Sequence, residues 1–198
     1  MTNLNLTFKF LTVGDSGVGK TSLIQRFCKK VFEEQTPTVG VEFMVRKIKI
    51  NDSPIQLQIW DTAGQEQYYS LAKTYYRDAV GVLLVFSYSS HSSLESMEKW
   101  LSEVRSLCHP HVKILLVGNK IDLTDERKIP KAEIESFISR HHLEYIETSA
   151  KENINVSEAF YRIARNVLNA ITTNDIVLNS SPDNQSKDTN NSSSSCTC

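Results

Sequence analysis

The run Val80-Gly81-Val82-Leu83-Leu84-Val85-Phe86 carries no polar side chain. A strand of that composition has to be covered on both faces, the condition of a central strand in a parallel sheet. Helices must therefore lie above and below it, and the rest of the sequence supplies them. Phe8–Val13, Ile114–Val117 and Tyr145–Ile146 are further short buried-strand candidates. Phe43–Ile50 and Ile55–Trp60 flank Asn51-Asp52-Ser53-Pro54 and read as a hairpin, with Arg46, Lys47 and Lys49 interleaved as on an edge strand. Helical spacing appears at Leu23, Ile24 and Phe27, then at Leu94, Met97, Trp100, Leu101 and Val104. It returns at Ile134, Phe137 and Ile138, and at Val156, Phe160, Ile163, Val167 and Leu168. Pro130 suits the first turn of the third of these helices. Strands alternating with helices predict a doubly wound α/β sheet.

Composition narrows the function classes. The chain has 198 residues with 22 Lys+Arg against 23 Asp+Glu, so it has no bulk drive toward nucleic acid. A 40% hydrophobic content suffices for one sizeable core. No apolar run reaches the ~18 residues of a membrane span, and Met1–Leu6 lacks the charged-then-apolar order of a signal peptide. Cys28 and Cys108 lie in apolar-patterned segments, where they read as buried and inert, while Cys196 and Cys198 crowd the end. The four do not form a disulfide framework, which fits a reducing, intracellular setting. Composition changes near residue 173. Asn179–Ser195 holds seven Ser and four Asn with no aliphatic or aromatic residue, so this tail reads as disordered. One Lys against Asp175, Asp183 and Asp188 makes it net acidic, so it is no electrostatic membrane binder.

Four short motifs sit at strand ends. Gly14-Asp15-Ser16-Gly17-Val18-Gly19-Lys20-Thr21 matches G-x-x-x-x-G-K-[ST] between a strand ending at Val13 and a helix starting near Lys20. Glycines let the backbone turn its N–H groups around a β-phosphate, and the helix N-terminus adds positive potential. Lys20 supplies a point charge to the β- and γ-phosphates, and the Thr21 hydroxyl suits Mg²⁺. The plainer reading is a Gly-rich turn with an incidental Lys. Asp61-Thr62-Ala63-Gly64 offers a carboxylate for Mg²⁺, through water, and a Gly N–H for a γ-phosphate. In Asn119-Lys120-Ile121-Asp122, an Asp carboxylate accepts from the N1–H and 2-amino group of guanine, donors that adenine does not place there. The Lys120 stem can pack over the base. An N-cap Asp in a polar loop is the alternative. Thr148-Ser149-Ala150-Lys151 puts a small residue where a backbone N–H could meet guanine O6, a weak signal alone.

In this order these segments resemble the Ras superfamily of small GTPases, over about residues 7 to 172. Val39-Gly40-Val41-Glu42-Phe43, Leu57–Glu66 and Tyr75-Tyr76-Arg77 look most like its Rab branch. The resemblance implies a P-loop NTPase fold: a doubly wound, mostly parallel six-stranded sheet with one antiparallel edge strand and about five helices. It implies a GTPase domain over residues 1–172 and a variable tail over 173–198. Ser16, Gly17, Val18, Gly19, Lys20, Thr21 and Ser22 would hold the phosphates, and Asn119, Lys120, Asp122, Ser149, Ala150 and Lys151 the base. Thr38 would join Thr21 and Asp61 around Mg²⁺. Gly64 would bind the γ-phosphate, Gln65 orient the attacking water, and Phe32 stack on guanine. Phe43, Trp60 and Tyr75 match an aromatic triad presented to effectors, although the strand pattern could equally bury Trp60. Gln67 and Asp78 depart from the family pattern, where Arg and a small residue are usual, and put partner choice in doubt.

No Arg stands between Val31 and Val41 to act as a built-in arginine finger, so intrinsic hydrolysis of GTP should be slow. The ending Cys196-Thr197-Cys198 matches a doubly prenylated C-x-C terminus, and two chains suit a tail with no polybasic cluster. The implied partners are GTP and GDP, an exchange factor, an activating protein, a GDP-dissociation inhibitor and effectors. The implied setting is a monomer on the cytoplasmic face of intracellular vesicle membranes, with a cytosolic pool. Segment 68–77 looks a little like the early-endosomal subgroup. A GTP-binding interaction module with negligible turnover, another Ras-superfamily signalling GTPase and a different P-loop enzyme are the competing readings.

Overall fold

The computed structural model describes residues 6–33, 38, 41–62, 74–176 and 178. Six strands, β1 (Leu6–Val13), β2 (Val41–Ile50), β3 (Ser53–Thr62), β4 (Gly81–Ser87), β5 (Lys113–Asn119) and β6 (Glu144–Glu147), form one sheet in the order β2-β3-β1-β4-β5-β6. All neighbours are parallel except the β2–β3 hairpin at the edge. Five α-helices accompany it among the described residues: α1 (Lys20–Lys29), α2 (His91–Glu95), α3 (Met97–Leu107), α4 (Lys131–His141) and α5 (Val156–Thr172).

Period-two alternation divides each central strand between two cores. Phe8 and Phe10 of β1 and Leu83 and Val85 of β4 face one side, where they meet Phe27 of α1 and Phe160, Ile163 and Val167 of α5. Leu11 and Val13, with Val82, Leu84 and Phe86, face the other side, against Trp100, Leu101 and Val104 of α3 and Ile134 and Phe137 of α4. Every residue of β4 is buried, as its composition requires.

Local differences from the sequence reading have physical causes. The hairpin turn is Asn51-Asp52 alone, with φ of 46° and 65°. Two positive φ values are what a tight two-residue hairpin turn needs, and Asn and Asp tolerate them. Ser53 and Pro54 therefore belong to β3, opposite Ile50 and Lys49. The stretch from Leu94 to Val104 is two helices meeting at Ser96, whose Oγ bonds back to the Ser92 carbonyl at 3.0 Å. Such back-bonding favours a bend. Pro130 is the N-cap of α4, with extended ψ of 139°, rather than part of its first turn.

Candidate functional site

The parallel order places the C-terminal ends of β1, β3, β4, β5 and β6 along one edge, and the described residues of all four motifs sit there. The loop from Gly14 to Gly19 joins β1 to α1. A Cβ on Gly14 would lie 2.1 Å from the Val85 carbonyl oxygen, so only glycine fits there. Gly19, the N-cap of α1, has φ 97°, and a Cβ there would meet the Asn119 amide at 2.4 Å.

Lys20 is buried at 5% exposure, and its Nζ donates to the carbonyls of Gly14 and Asp15 at 2.8 Å each. Burial lowers its pKa to about 8 against the opposing pull of Asp61 and Asp15. The cation thus sits among neutral carbonyls, an arrangement that a polyphosphate would relieve. Burial pushes the Asp61 carboxyl upward, opposed by its bond from Thr21 and by Lys20.

Thr21 Oγ1 lies 2.5 Å from Asp61 Oδ2 and 2.8 Å from Thr38 Oγ1. Three hard oxygens, one of them anionic, converge beside the phosphate loop, a donor set suited to Mg²⁺. Among the described residues no three His, Cys, Asp or Glu side chains cluster as a metal site. That does not conflict, because two of the three donors are hydroxyls.

On the base side, Asn119 is a brace. Its Nδ2 donates to the Val18 carbonyl at 2.9 Å and its Oδ1 accepts from Thr148 Oγ1 at 3.1 Å, which ties the phosphate loop to the loop after β6. Asp122 Oδ1 accepts from Ser149 Oγ at 2.5 Å, leaving carboxylate capacity for further donors. Lys120 is half-buried with φ 65°, and its stem approaches Gly19. Ala150 is buried and Lys151 exposed. Ser16 and Gly17 are exposed, Val18 is buried and Ser22 half-buried. Phe32 is 37% exposed, with the Arg26 guanidinium 5.7 Å from its ring centre.

Phe43, Trp60 and Tyr75 form a continuous aromatic row, with ring centres 5.0 and 4.9 Å apart. Phe43 is 49% exposed, while Trp60 and Tyr75 are half-buried. Trp60 is thus partly core and partly surface, with Lys9 Nζ 5.3 Å from its ring. Asp78 has φ 62°. Asp tolerates that left-handed position better than most side chains. Cys28 and Cys108 are half-buried rather than fully buried. Burial raises both thiols, that of Cys108 to about 12, and so disfavours the reactive thiolate. Gly64, Gln65, Gln67, Cys196 and Cys198 lie outside the described residues.

Two site-supporting residues are not apparent from any motif. Trp100 Nε1 on α3 donates to Asp15 Oδ1 at 2.8 Å, anchoring the phosphate loop from the helical layer. Arg26 on α1 bonds the carbonyls of Ala150 and Lys151. Only a hydrophobic spacing that put Trp100 inside the core and Arg26 off the core face could have hinted at either.

A doubly wound sheet with a phosphate loop at the end of its first strand, a hydroxyl–carboxylate cluster beside it and a carboxylate-bearing base loop defines a P-loop nucleotide-binding protein. The Ras family model matches residues 9–169, and the chain belongs to that family. Its members are small GTPases that bind GTP and GDP, typically with Mg²⁺.

Proposed function

We propose that the protein is a Rab-type small GTPase that hydrolyses GTP slowly and regulates intracellular vesicle traffic as a switch. The observation that carries the nucleotide reading is the joint placement of buried Lys20, the Thr21–Asp61–Thr38 oxygens and Asp122 along one sheet edge. The Rab reading rests on the continuous Phe43–Trp60–Tyr75 row, which opens to the surface at Phe43, and on the sequence of residues 39–43 and 57–66.

Thr21, Asp61 and Thr38 would hold Mg²⁺, which supplies charge neutralisation across the β- and γ-phosphates. The main-chain N–H groups of Ser16–Thr21 bind the phosphates, and Lys20 offsets charge that builds on the transferring phosphoryl group. Gln65 orients a water for in-line attack. The products are GDP and phosphate. Thr38 and Gly64 engage the γ-phosphate only before hydrolysis, so both loops relax afterwards and effectors distinguish the two states. With no Arg ahead of Thr38, an activating protein adds about 10³–10⁵-fold. Asp122 selects guanine. Residues 1–172 form the GTPase domain, and α5 ends at Thr172. Residues 173–198 tether it to the cytoplasmic face of endomembranes through prenyl groups on Cys196 and Cys198.

Single-turnover GTP hydrolysis by the wild type and Gln65→Leu tests the enzyme. The variant should retain GTP far longer, and equal rates would overturn the role of Gln65. Localisation of the tagged chain beside Cys196→Ser/Cys198→Ser tests the anchor. The double variant should be cytosolic, and persistence on membranes would refute prenylation.

A further inference from the structure

Helix α1 begins at the phosphate loop and carries Arg26 near its far end. The half-buried guanidinium donates to three backbone carbonyls: Nε to Ala150 at 2.8 Å, Nη2 to Lys151 at 2.9 Å and Nη1 to Lys30 at 3.3 Å. Its carbon also lies 5.7 Å from the Phe32 ring centre. One side chain thus touches the loop after β6 and the segment that follows α1.

Peptide geometry gives those contacts a direction. In a trans peptide the carbonyl and the next N–H point opposite ways, and the described residues contain no cis bond. Drawing the Ala150 carbonyl toward Arg26 therefore turns the Lys151 N–H away from Arg26. The Ser149 carbonyl accepts from the Ile154 N–H at 2.9 Å, which fixes the neighbouring plane and its Ala150 N–H. Two successive amide planes are held from behind. Their N–H groups take no backbone acceptor among the described residues, although Ala150 is only 4% exposed. A buried amide normally finds an acceptor, and a ring carbonyl such as guanine O6 is of the right chemistry.

We infer that Arg26 is a positioning residue for guanine: it aims the Ala150 and Lys151 amides at O6 and links that loop to Phe32. This rests on the guanine reading proposed above. Arginine suits the task because a planar fork reaches two carbonyls and stacks on a ring at once, whereas a lysine offers a single point charge.

The test follows nucleotide release from the full chain, using GDP and 6-thio-GDP that both carry a ribose fluorophore, chased with unlabelled GDP. Arg26→Met should release GDP about tenfold faster, equivalent to ~1.4 kcal/mol, with Arg26→Lys in between. Sulfur is a weaker acceptor than oxygen, so 6-thio-GDP depends less on the aimed amides and its release should accelerate less. Equal acceleration of both nucleotides would reduce Arg26 to a fold-holding role, and unchanged GDP release would remove it altogether. Arg26→Lys alone gives the same comparison if Arg26→Met does not fold. A wild type that retains no GDP would refute the guanine reading itself, and the inference with it.

Discussion

Asn119→Ala should be among the most damaging single truncations at the site. Asn119 is 1% exposed, and both its amide groups are bonded within the protein. Truncation leaves the Val18 carbonyl and the Thr148 hydroxyl without those partners, and both residues are buried, at 2% and 0%. An unsatisfied buried polar group costs about 1–3 kcal/mol, so the two together give roughly 2–6 kcal/mol. Rotation of the Thr148 hydroxyl to another acceptor pulls the expectation to the lower half of that range. Thr148→Val removes only the second bond and should cost about 1 kcal/mol. The double variant should cost less than the two added together, because the Thr148 bond is lost in both singles. Chemical unfolding of the GDP-loaded protein measures all three. Because the brace joins the phosphate loop to the base loop, GDP release should quicken in the same order. A cost below about 0.5 kcal/mol for Asn119→Ala, or strict additivity, would refute the brace.

The cost of burying Lys20 depends on pH. Its folded pKa of about 8 lies below the ordinary 10.5, so the unfolded chain binds more protons between these values. Stability of the nucleotide-free protein should therefore be lowest below pH 8 and rise between pH 8 and 10.5, by up to ~3 kcal/mol. Denaturation midpoints across pH check this, and Lys20→Met should flatten the rise. Gly14→Ala should destabilise by about 2–5 kcal/mol from crowding against Val85 plus backbone strain. Gly17→Ala, with φ 77° and nothing within 4 Å of the added carbon, should cost only the strain, about 1–2 kcal/mol. Urea midpoints at unchanged slope separate the two. Trp100→Phe removes the bond to Asp15 together with part of a buried ring system, and should cost about 2–4 kcal/mol in the same assay.

What the sequence made legible was local. The apolar Val80–Phe86 run declared a doubly covered strand, and the Gly14–Thr21 spacing declared a strand–loop–helix because glycine, lysine and threonine each answer a short-range demand. Asp61 and Thr21 follow from motifs and Thr38 from the family resemblance, and folding brings their oxygens within hydrogen-bonding distance. Boundaries were less legible. Whether Ser53 and Pro54 turn or pair depends on Asn51 and Asp52 both taking positive φ, and the break at Ser96 depends on a hydroxyl choosing its own helix's carbonyl. The supporting contacts were not legible at all. Arg26 meets Ala150 across 124 positions, Asn119 meets Val18 across 101, and Trp100 meets Asp15 across 85. No periodicity or motif encodes such pairs, which exist only because the sheet order brings distant strand ends together. Trp60 illustrates the middle case. Its strand position allowed either face, and the structure gives it both roles, half-buried yet continuous with exposed Phe43.

In the proposed function, Asp122 and the loops around it select guanine. Fluorescent GDP bound to the full chain in Mg²⁺ should be displaced by GTP at near-equal concentration. ATP, which leaves the Asp122 carboxylate without its two donors, should be weaker by at least about 10³-fold. Displacement by ATP at concentrations comparable to GTP would contradict the central claim.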